Sequence, residues 1–519
     1  MWEDYWITFR ASRNLATGHG LVFTSGERLH TFTSPLGVLL PAGLSWLTGS
    51  ASDDLVVWLF RLVSMTALAA GMVLLLRLAL RLQRHRLSSI LTVALVALDA
   101  KTLDFSINGM ETGLLVFFLA LTLHGLLVAG PRRALRIGVG WAGLMWTRPD
   151  GCVYIAILAA TALVFPPDTT AGRTRTELWK TLLRAGFVGA VLYLPWFAWA
   201  WWYYGSPVPH TVVAKATNGP GFSPLDLAAR LLLSPFSFAS TIDVRWQVFM
   251  PPDAYFGGWH YTLQATCLGL ALVASFAWLV PLLRAETRML SLAFFLAMAF
   301  LNDVVQYLAA WYLPAVEVFG YLTIGFLFDQ VFSLATRLPE LGWDRGWFRR
   351  LPLVLRVSAA ALIAGQASVT VCVARQMAEQ QELIENGIRR PIGMWLRDHA
   401  RTPHDTVFLE PLGYIGYYSQ LKMLDYPGLS SREMVDARRR LGPANENQAY
   451  LELKPDWLVL RPAEVRRPNP IIDPTRLGEL YELVQVFDAS DRVRAVPWLA
   501  GREYLQNDQT FLVFHRKSG

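Results

Sequence analysis

The chain has 519 residues, of which 53% are hydrophobic and 17% charged, with 20 Trp and a mean hydropathy of +0.33, a balance that excludes an ordinary soluble cytosolic globule. Its net charge of +7, from 47 basic and 40 acidic residues, is too small and too scattered for a nucleic-acid binder, which concentrates basic residues on one face. The three cysteines, Cys152, Cys267 and Cys372, lie in apolar stretches at unrelated spacings, so they suggest neither a disulfide framework nor a thiolate metal site.

In chain order, residues 1–54 come first as an outer loop with interfacial helices. Its start, Glu3-Asp4-Tyr5-Trp6-Ile7-Thr8-Phe9-Arg10, sets adjacent carboxylates among aromatic rings. A carboxylate partly desolvated at a membrane surface gains strength as a general base, whereas the plainer reading is an exposed acidic end of an amphipathic helix. His19 sits between Gly18 and Gly20, which suits a tight turn as well as a substrate contact. The apolar run at 33–49 is short and interrupted by Pro41, and reads as a helix lying in the interface.

Residues 55–374 form the transmembrane part. About 20 helical residues cross the hydrocarbon, and full spans fall near 55–77, 87–103, 112–129, 181–203, 259–283, 289–304, 312–333 and 351–373. The runs at 137–147 and 151–165 are each too short to span and read as a hairpin of half-helices, turning at Thr147-Arg148-Pro149-Asp150-Gly151. Charge and irregular backbone at membrane depth are tolerated where they line a cavity, so that turn points at a site. The Arg-rich connections at 81–86, 131–136, 172–180, 284–288 and 344–350 belong on the cytoplasmic side. Residues 1–54, 104–111, 205–258 and everything after 374 are then extracytoplasmic. This parity asks for a crossing segment upstream of Met1 or a start assigned elsewhere, and the first ten residues, with Glu3, Asp4 and Arg10, are not a cleavable signal peptide.

From residue 375 onward 40 of 145 residues are charged, against 47 of the preceding 374, which marks a domain boundary. Residues 406–409, 457–460, 483–487 and 510–514 read as strands of a small extracytoplasmic α/β domain over 375–519. It carries no nucleophile elbow, phosphate loop, zinc motif or repeat.

Residues 3–36, EDYWITFRASRNLATGHGLVFTSGERLHTFTSPL, resemble the first outer loop of bacterial membrane glycosyltransferases with the GT-C architecture, and among them the mycobacterial terminal arabinofuranosyltransferase family. Glu3 stands where the family's first Asp is usual, Tyr5-Trp6 where Ala-Tyr is common, and Asp4 is intact. The resemblance continues in order through Asn108-Gly109-Met110-Glu111-Thr112, Thr147-Arg148-Pro149-Asp150-Gly151, Tyr203-Tyr204-Gly205, Pro209-His210-Thr211 and Ala214-Lys215. It extends into the tail at Gly413-Tyr414-Ile415-Gly416-Tyr417-Tyr418-Ser419, Asp425 and Lys454-Pro455-Asp456.

The resemblance implies a polytopic α-helical GT-C fold in the bacterial cytoplasmic (inner) membrane, with the active site and the tail outside. It implies transfer of a sugar from a polyprenyl-phosphate donor to an envelope polysaccharide, lipid-linked glycan or protein. Arabinofuranose is suggested first, with mannose, glucose or aminoarabinose as alternatives. Asp4 would take the acceptor proton, and Glu3 would share that role or orient the acceptor. Arg10, Arg28, His30, Arg148, His210 and Lys215 are outer-face groups that could meet the leaving phosphate, with Tyr204 in the same motifs. Glu111 and Asp150 could bind sugar hydroxyls or pair with Arg148, and Asp104 and Asp303 are weaker candidates of that kind. Arg61 and Glu317 could pair with each other inside the spans. No organic cofactor is implied, and use of Mg²⁺ or Mn²⁺ on a carboxylate cluster stays open. A transporter of lipid-linked sugars is the main reading from another class, but it calls for paired half-helices in two repeats, and one hairpin is present. An envelope assembly protein would not require Asp4.

Overall fold

A serine opens each of the second and third helices. Ser34 accepts a hydrogen bond from the Gly37 amide with Pro35 in the first helical turn, and Ser52 accepts from the Leu55 amide with Asp53 and Asp54 just inside, so orphan amides and the positive helix end are both satisfied. The computed structural model describes the chain except residues 2, 50–51, 168–174, 218–222, 224, 227–228, 230–247, 253, 304, 306–308, 339, 341–345, 467–471, 473, 498–499, 501 and 518–519. Half of the 205–258 loop and the Asp303 side chain thus lie outside the described residues.

The membrane part is built from α1 (Glu3–Ala16), α2 (Pro35–Leu47), α3 (Asp53–Leu82), α4 (Arg86–Ala97), α5 (Ala100–Ile107), α6 (Thr112–Leu127), α7 (Arg133–Thr147), α8 (Gly151–Val164), α9 (Arg175–Tyr204) and α10 (His210–Ala216). It continues with α11 (Tyr261–Phe276), α12 (Ala285–Asp303), α13 (Pro314–Arg337) and α14 (Trp347–Gln380). Among the described residues six helical stretches are long and apolar enough to cross a membrane: Asp53–Leu82, Arg175–Tyr204, Tyr261–Leu279, Ala285–Asn302, Pro314–Arg337 and Trp347–His399.

Two expected spans come out differently. The run at 87–103 is two helices, because Asp99 leaves the helical region and accepts a bond from the Thr102 amide, capping α5 as a new start. The run at 112–129 gives a 16-residue helix. The runs at 137–147 and 151–165 are α7, which starts earlier at Arg133, and α8, with Arg148 extended between them. Helix α3 packs on α6, α6 on α7, and α7 on α9. Gly138 faces Ala185 and Val188 across the α7–α9 contact, while Gly140 and Gly143 face Thr122 and Phe118 across the α6–α7 contact. A Cβ at any of the three would collide, so small residues set these close approaches.

The tail begins without a break in the helix. A π-helix over Gln381–Arg389 joins α14 to α15 (Arg390–His399). Five strands follow: β1 (Thr406–Leu409), β2 (Lys422–Asp425), β3 (Trp457–Leu460), β4 (Tyr481–Asp488) and β5 (Thr510–Arg516). The sheet order is β2-β1-β3-β5-β4, with β1 parallel to β2 and β3, and β5 antiparallel to β3 and β4. Alternation sorts the strand residues: Val407, Leu409, Trp457 and Val459 pack with Ile384, Ile388, Ile392 and Leu396. Phe408, Leu458 and Leu460 face Met434 and Tyr450 on the other side. The expected strands are matched, and β2 is an addition. Ile7 of α1 is buried in the first of these two cores, so the N-terminal helix and the tail fold as neighbours.

Candidate active site

Helix α1 is anchored by one face. Trp6 packs on Tyr414, Tyr417 and Tyr418, with ring centroids 4.5–5.5 Å apart, and these tyrosines belong to α16 (Gly413–Ser419). Arg10 is buried over the Phe23 ring and donates to the carbonyls of Gly416 (2.8 Å), Gln420 (3.0 Å) and Leu421 (3.1 Å). Glu3 accepts from the amides of Gly413 and Tyr414 and faces Arg389 at 3.4 Å. A Cβ at Gly413 would meet the Glu3 backbone carbonyl, so glycine is what lets α16 approach. Both Glu3 and Arg10 are therefore committed to holding α1 against the tail.

Asp4 is one position round the helix. The charges that act on it most are Lys215, Glu410 and Arg389, in that order, and its carboxyl is raised above the ordinary Asp value by burial, which Lys215 opposes. Lys215, on α10, donates to the Tyr312 hydroxyl at 3.2 Å. The Tyr312 ring lies under a second cation, Arg148, whose guanidinium carbon is 4.5 Å from its centroid. Arg148 is buried at the α7–α8 turn and pairs with Asp150 at 2.9 Å and Glu111 at 3.2 Å. Lys215, Tyr312, Arg148, Glu111 and Asp150 thus form one polar run from four separate parts of the chain, and Asp4 feels its Lys215 end.

The remaining expected residues cluster elsewhere. His30 is buried and stacked on Tyr204 at 4.4 Å and 9°, and the Tyr204 hydroxyl donates to the Leu21 carbonyl at 2.6 Å. The His210 amide donates to the His30 carbonyl at 2.9 Å, and its ring lies 3.4 Å from the Ser431 carbonyl. Burial lowers the His30 ring to about 4 and lowers His210 as well. Arg28 is exposed above the Tyr203 ring. His19 occupies a turn with Gly18 and Gly20 at positive φ. The Asp104 carboxylate accepts from the Asn108 side chain. Glu317 pairs with Lys101 at 2.7 Å, which corrects the expected pairing with Arg61. Asp425 is buried and accepts from Leu429, Ser430 and the Ser430 hydroxyl, a turn-forming use of the carboxylate.

Tyr312, Glu410 and Arg389 were not legible as parts of a site. The only sequence signal for Tyr312 was an aromatic residue before the Pro314 helix start. Among the described residues no group of three or more His, Cys, Asp or Glu side chains is placed to hold a metal ion. Glu111 and Asp150 are both turned to Arg148.

Across nearly its whole length the chain is similar to solved membrane proteins. ArnT from Cupriavidus metallidurans in the apo state superposes with a TM-score of 0.53 at 13% identity, covering 98% of this chain and 92% of that one. The apo oligosaccharyltransferase of Archaeoglobus fulgidus gives 0.53 at 13% identity, over 89% and 66%. The chain has the GT-C fold. The same fold is found in the archaeal oligosaccharyltransferase AglB in complex with an inhibitory peptide and a dolichol-phosphate, with a TM-score of 0.51 at 14% identity over 88% of this chain and 65% of that one. By sequence, the chain is similar to the terminal β-(1→2)-arabinofuranosyltransferase of Corynebacterium glutamicum, 27% identical over 242 residues, 42% of this chain and 33% of the relative. The enzyme of that name from Mycobacterium tuberculosis is 27% identical over 238 residues, 43% and 36% respectively. The chain spans about a third of the length of these curated relatives. Residues 375–514 match a family described as "Domain of unknown function (DUF8728)".

Proposed function

We propose that this protein is a polyprenyl-phosphate-sugar glycosyltransferase acting at the extracytoplasmic face of the membrane. The observation that carries the reading is the gathering of two cations, Lys215 and Arg148, on Tyr312, with the desolvated carboxylate Asp4 subject to the Lys215 charge. The GT-C fold and the names of the relatives support it. In the reaction Asp4 accepts the proton of the acceptor hydroxyl as its oxygen bonds to the anomeric carbon. The bond from that carbon to the phosphate oxygen breaks, and the electron pair leaves on the lipid phosphate. Lys215 and Arg148 face the charge that develops there, where a fixed cation in a water-poor site is most effective. Glu111 and Asp150 keep Arg148 oriented and present carboxylate oxygens to sugar hydroxyls. Arabinofuranose is the donor sugar the relatives' names favour, with an envelope glycan as acceptor.

The test is a transfer assay. The purified protein in nanodiscs is offered polyprenyl-phosphate donors of arabinofuranose, mannose, glucose and aminoarabinose, with envelope acceptors. Transfer from the arabinofuranose carrier is the expected result. Folded protein that neither transfers nor hydrolyses any donor would remove the enzyme reading.

A pH profile tests the proton acceptor separately. Lys215 holds the Asp4 carboxyl down against burial, so Lys215→Gln raises it and more base is protonated at a given pH. The acid limb of kcat/KM, which reports the free enzyme's base, is expected to move to higher pH. Glu410→Gln removes a like charge from Asp4 and is expected to move the limb the other way.

A further inference from the structure

The other end of the α6–α7 pair carries a second polar feature that the transfer chemistry does not use. Helix α6 runs from Glu111 toward His124, and α7 from Arg133 up to Arg148. Between Arg136 and Arg148 lie about 18 Å of helix, so this feature is remote from Asp4. A groove of about 470 Å³ opens there, lined by Leu121, Pro131, Arg132, Leu135, Arg136 and Val139. Arg136 lies 2.9 Å from His124 Nδ1, and a Cβ at Gly130 would sit 2.6 Å from its Nη2. The charged groups felt at the His124 ring are Arg136, Arg81 and Arg77, all of one sign.

Arg77, Arg81 and Arg132 are exposed, and no carboxylate of the described residues pairs with them. A cationic cluster with no internal counter-charge calls for an external anion. The walls select which kind. Leu121, Leu135 and Val139 lie along the helices and Leu135 is 49% exposed, so the groove is basic at the loop and apolar along the spans. Basic pockets of this type between membrane helices match a lipid phosphate with its chain beside it. A free phosphate would leave the apolar wall open to solvent or lipid.

We propose that the α6–α7 groove, at the end of the helices away from Asp4, binds the phosphate and first methylenes of an anionic glycerophospholipid. The ligand is held by Arg132 and Arg136, with Arg77 and Arg81 supplying field. The site stands whether or not the protein transfers sugar.

Native mass spectrometry of the full chain, released from detergent with equimolar phosphatidylglycerol and phosphatidylcholine of the same acyl chains, tests it. One phosphatidylglycerol is expected to be retained in preference. Arg132→Gln, at an exposed position, is expected to lower that retention about fivefold, and Arg132→Gln with Arg136→Gln about thirtyfold, from the usual contribution of each basic residue near a lipid surface. Unchanged thermal melting of the single variant establishes that the loss is local. Equal retention of the two lipids, retention indifferent to both variants, or displacement of the lipid by millimolar inorganic phosphate would each overturn the proposal.

Discussion

Asp4→Asn is expected to lower sugar transfer by at least 10²–10⁴-fold, about what a positioned general base contributes, while leaving the protein folded. The side chains that dock α1 are Glu3, Trp6 and Arg10, which reach the tail through amides, rings and carbonyls, so an isosteric amide at position 4 leaves them in place. The sign of the stability change can be stated too. Burial raises the folded-state pKa of Asp4, so the folded chain holds this proton more tightly than the unfolded one. Keeping Asp4 ionised therefore costs stability as pH rises above the ordinary Asp value. The neutral Asn variant should melt at the same temperature as the parent below the ordinary Asp value, near pH 3, and no lower near pH 8. Glu3→Gln should behave in the opposite way, retaining transfer in the folded fraction but weakening the bonds to Gly413 and Tyr414. Transfer by Asp4→Asn at the parental rate would send the base role elsewhere.

The contrast between the two carboxylates shows where the sequence stops being readable. Neighbours at positions 3 and 4 look alike in a string, but a helix turns them about 100° apart. One then meets the start of α16 and the other feels the charge of Lys215. What separates their roles is the tail, more than 400 residues away, and no local pattern carries that contact. Arg10 is the same case: an outer-loop arginine suits a phosphate until four bonds to α16 and its turn engage both terminal nitrogens. By contrast the α7–α8 turn was legible, because two apolar runs too short to span and an Arg-Pro-Asp between them leave few other arrangements. Strands β1, β3 and β5 were legible from their apolar residues. Strand β2, Lys422-Met423-Leu424-Asp425, has too short an apolar core to stand out and becomes a strand by pairing in parallel with β1.

Arg389→Met is expected to destabilise the tail by about 3–5 kcal/mol, the usual result of removing one partner from a buried charge group. Arg389 is almost fully buried and meets Glu385 at 2.8 Å, Glu3 at 3.4 Å and Asp508. Asp508 in turn bonds Arg461, which holds Glu410 at 2.8 Å and Glu464 at 2.7 Å. Burial pushes the Asp508 carboxyl upward, but Arg461 and Arg389 outweigh it and hold the group below its ordinary value. A carboxyl depressed in this way contributes stability at every pH above the unfolded Asp value, and that contribution is lost as pH falls through the folded one. Methionine keeps the apolar stem and removes the charge, leaving Glu385 and Asp508 with a deficit of cation in a site that water does not reach. The measurement is urea unfolding of the tail followed by hydrogen exchange in β1, β3 and β5. Arg492→Met is the control, since Arg492 meets Glu382 at 3.6 Å with both side chains more than half exposed, and an exposed pair contributes about 0–1 kcal/mol. Because Arg389 also acts on Asp4, the surviving folded fraction of Arg389→Met should show the acid limb of transfer at higher pH. Equal stability of the two variants would mean that the Glu3–Arg389–Asp508–Arg461 group does not join α1 to the tail.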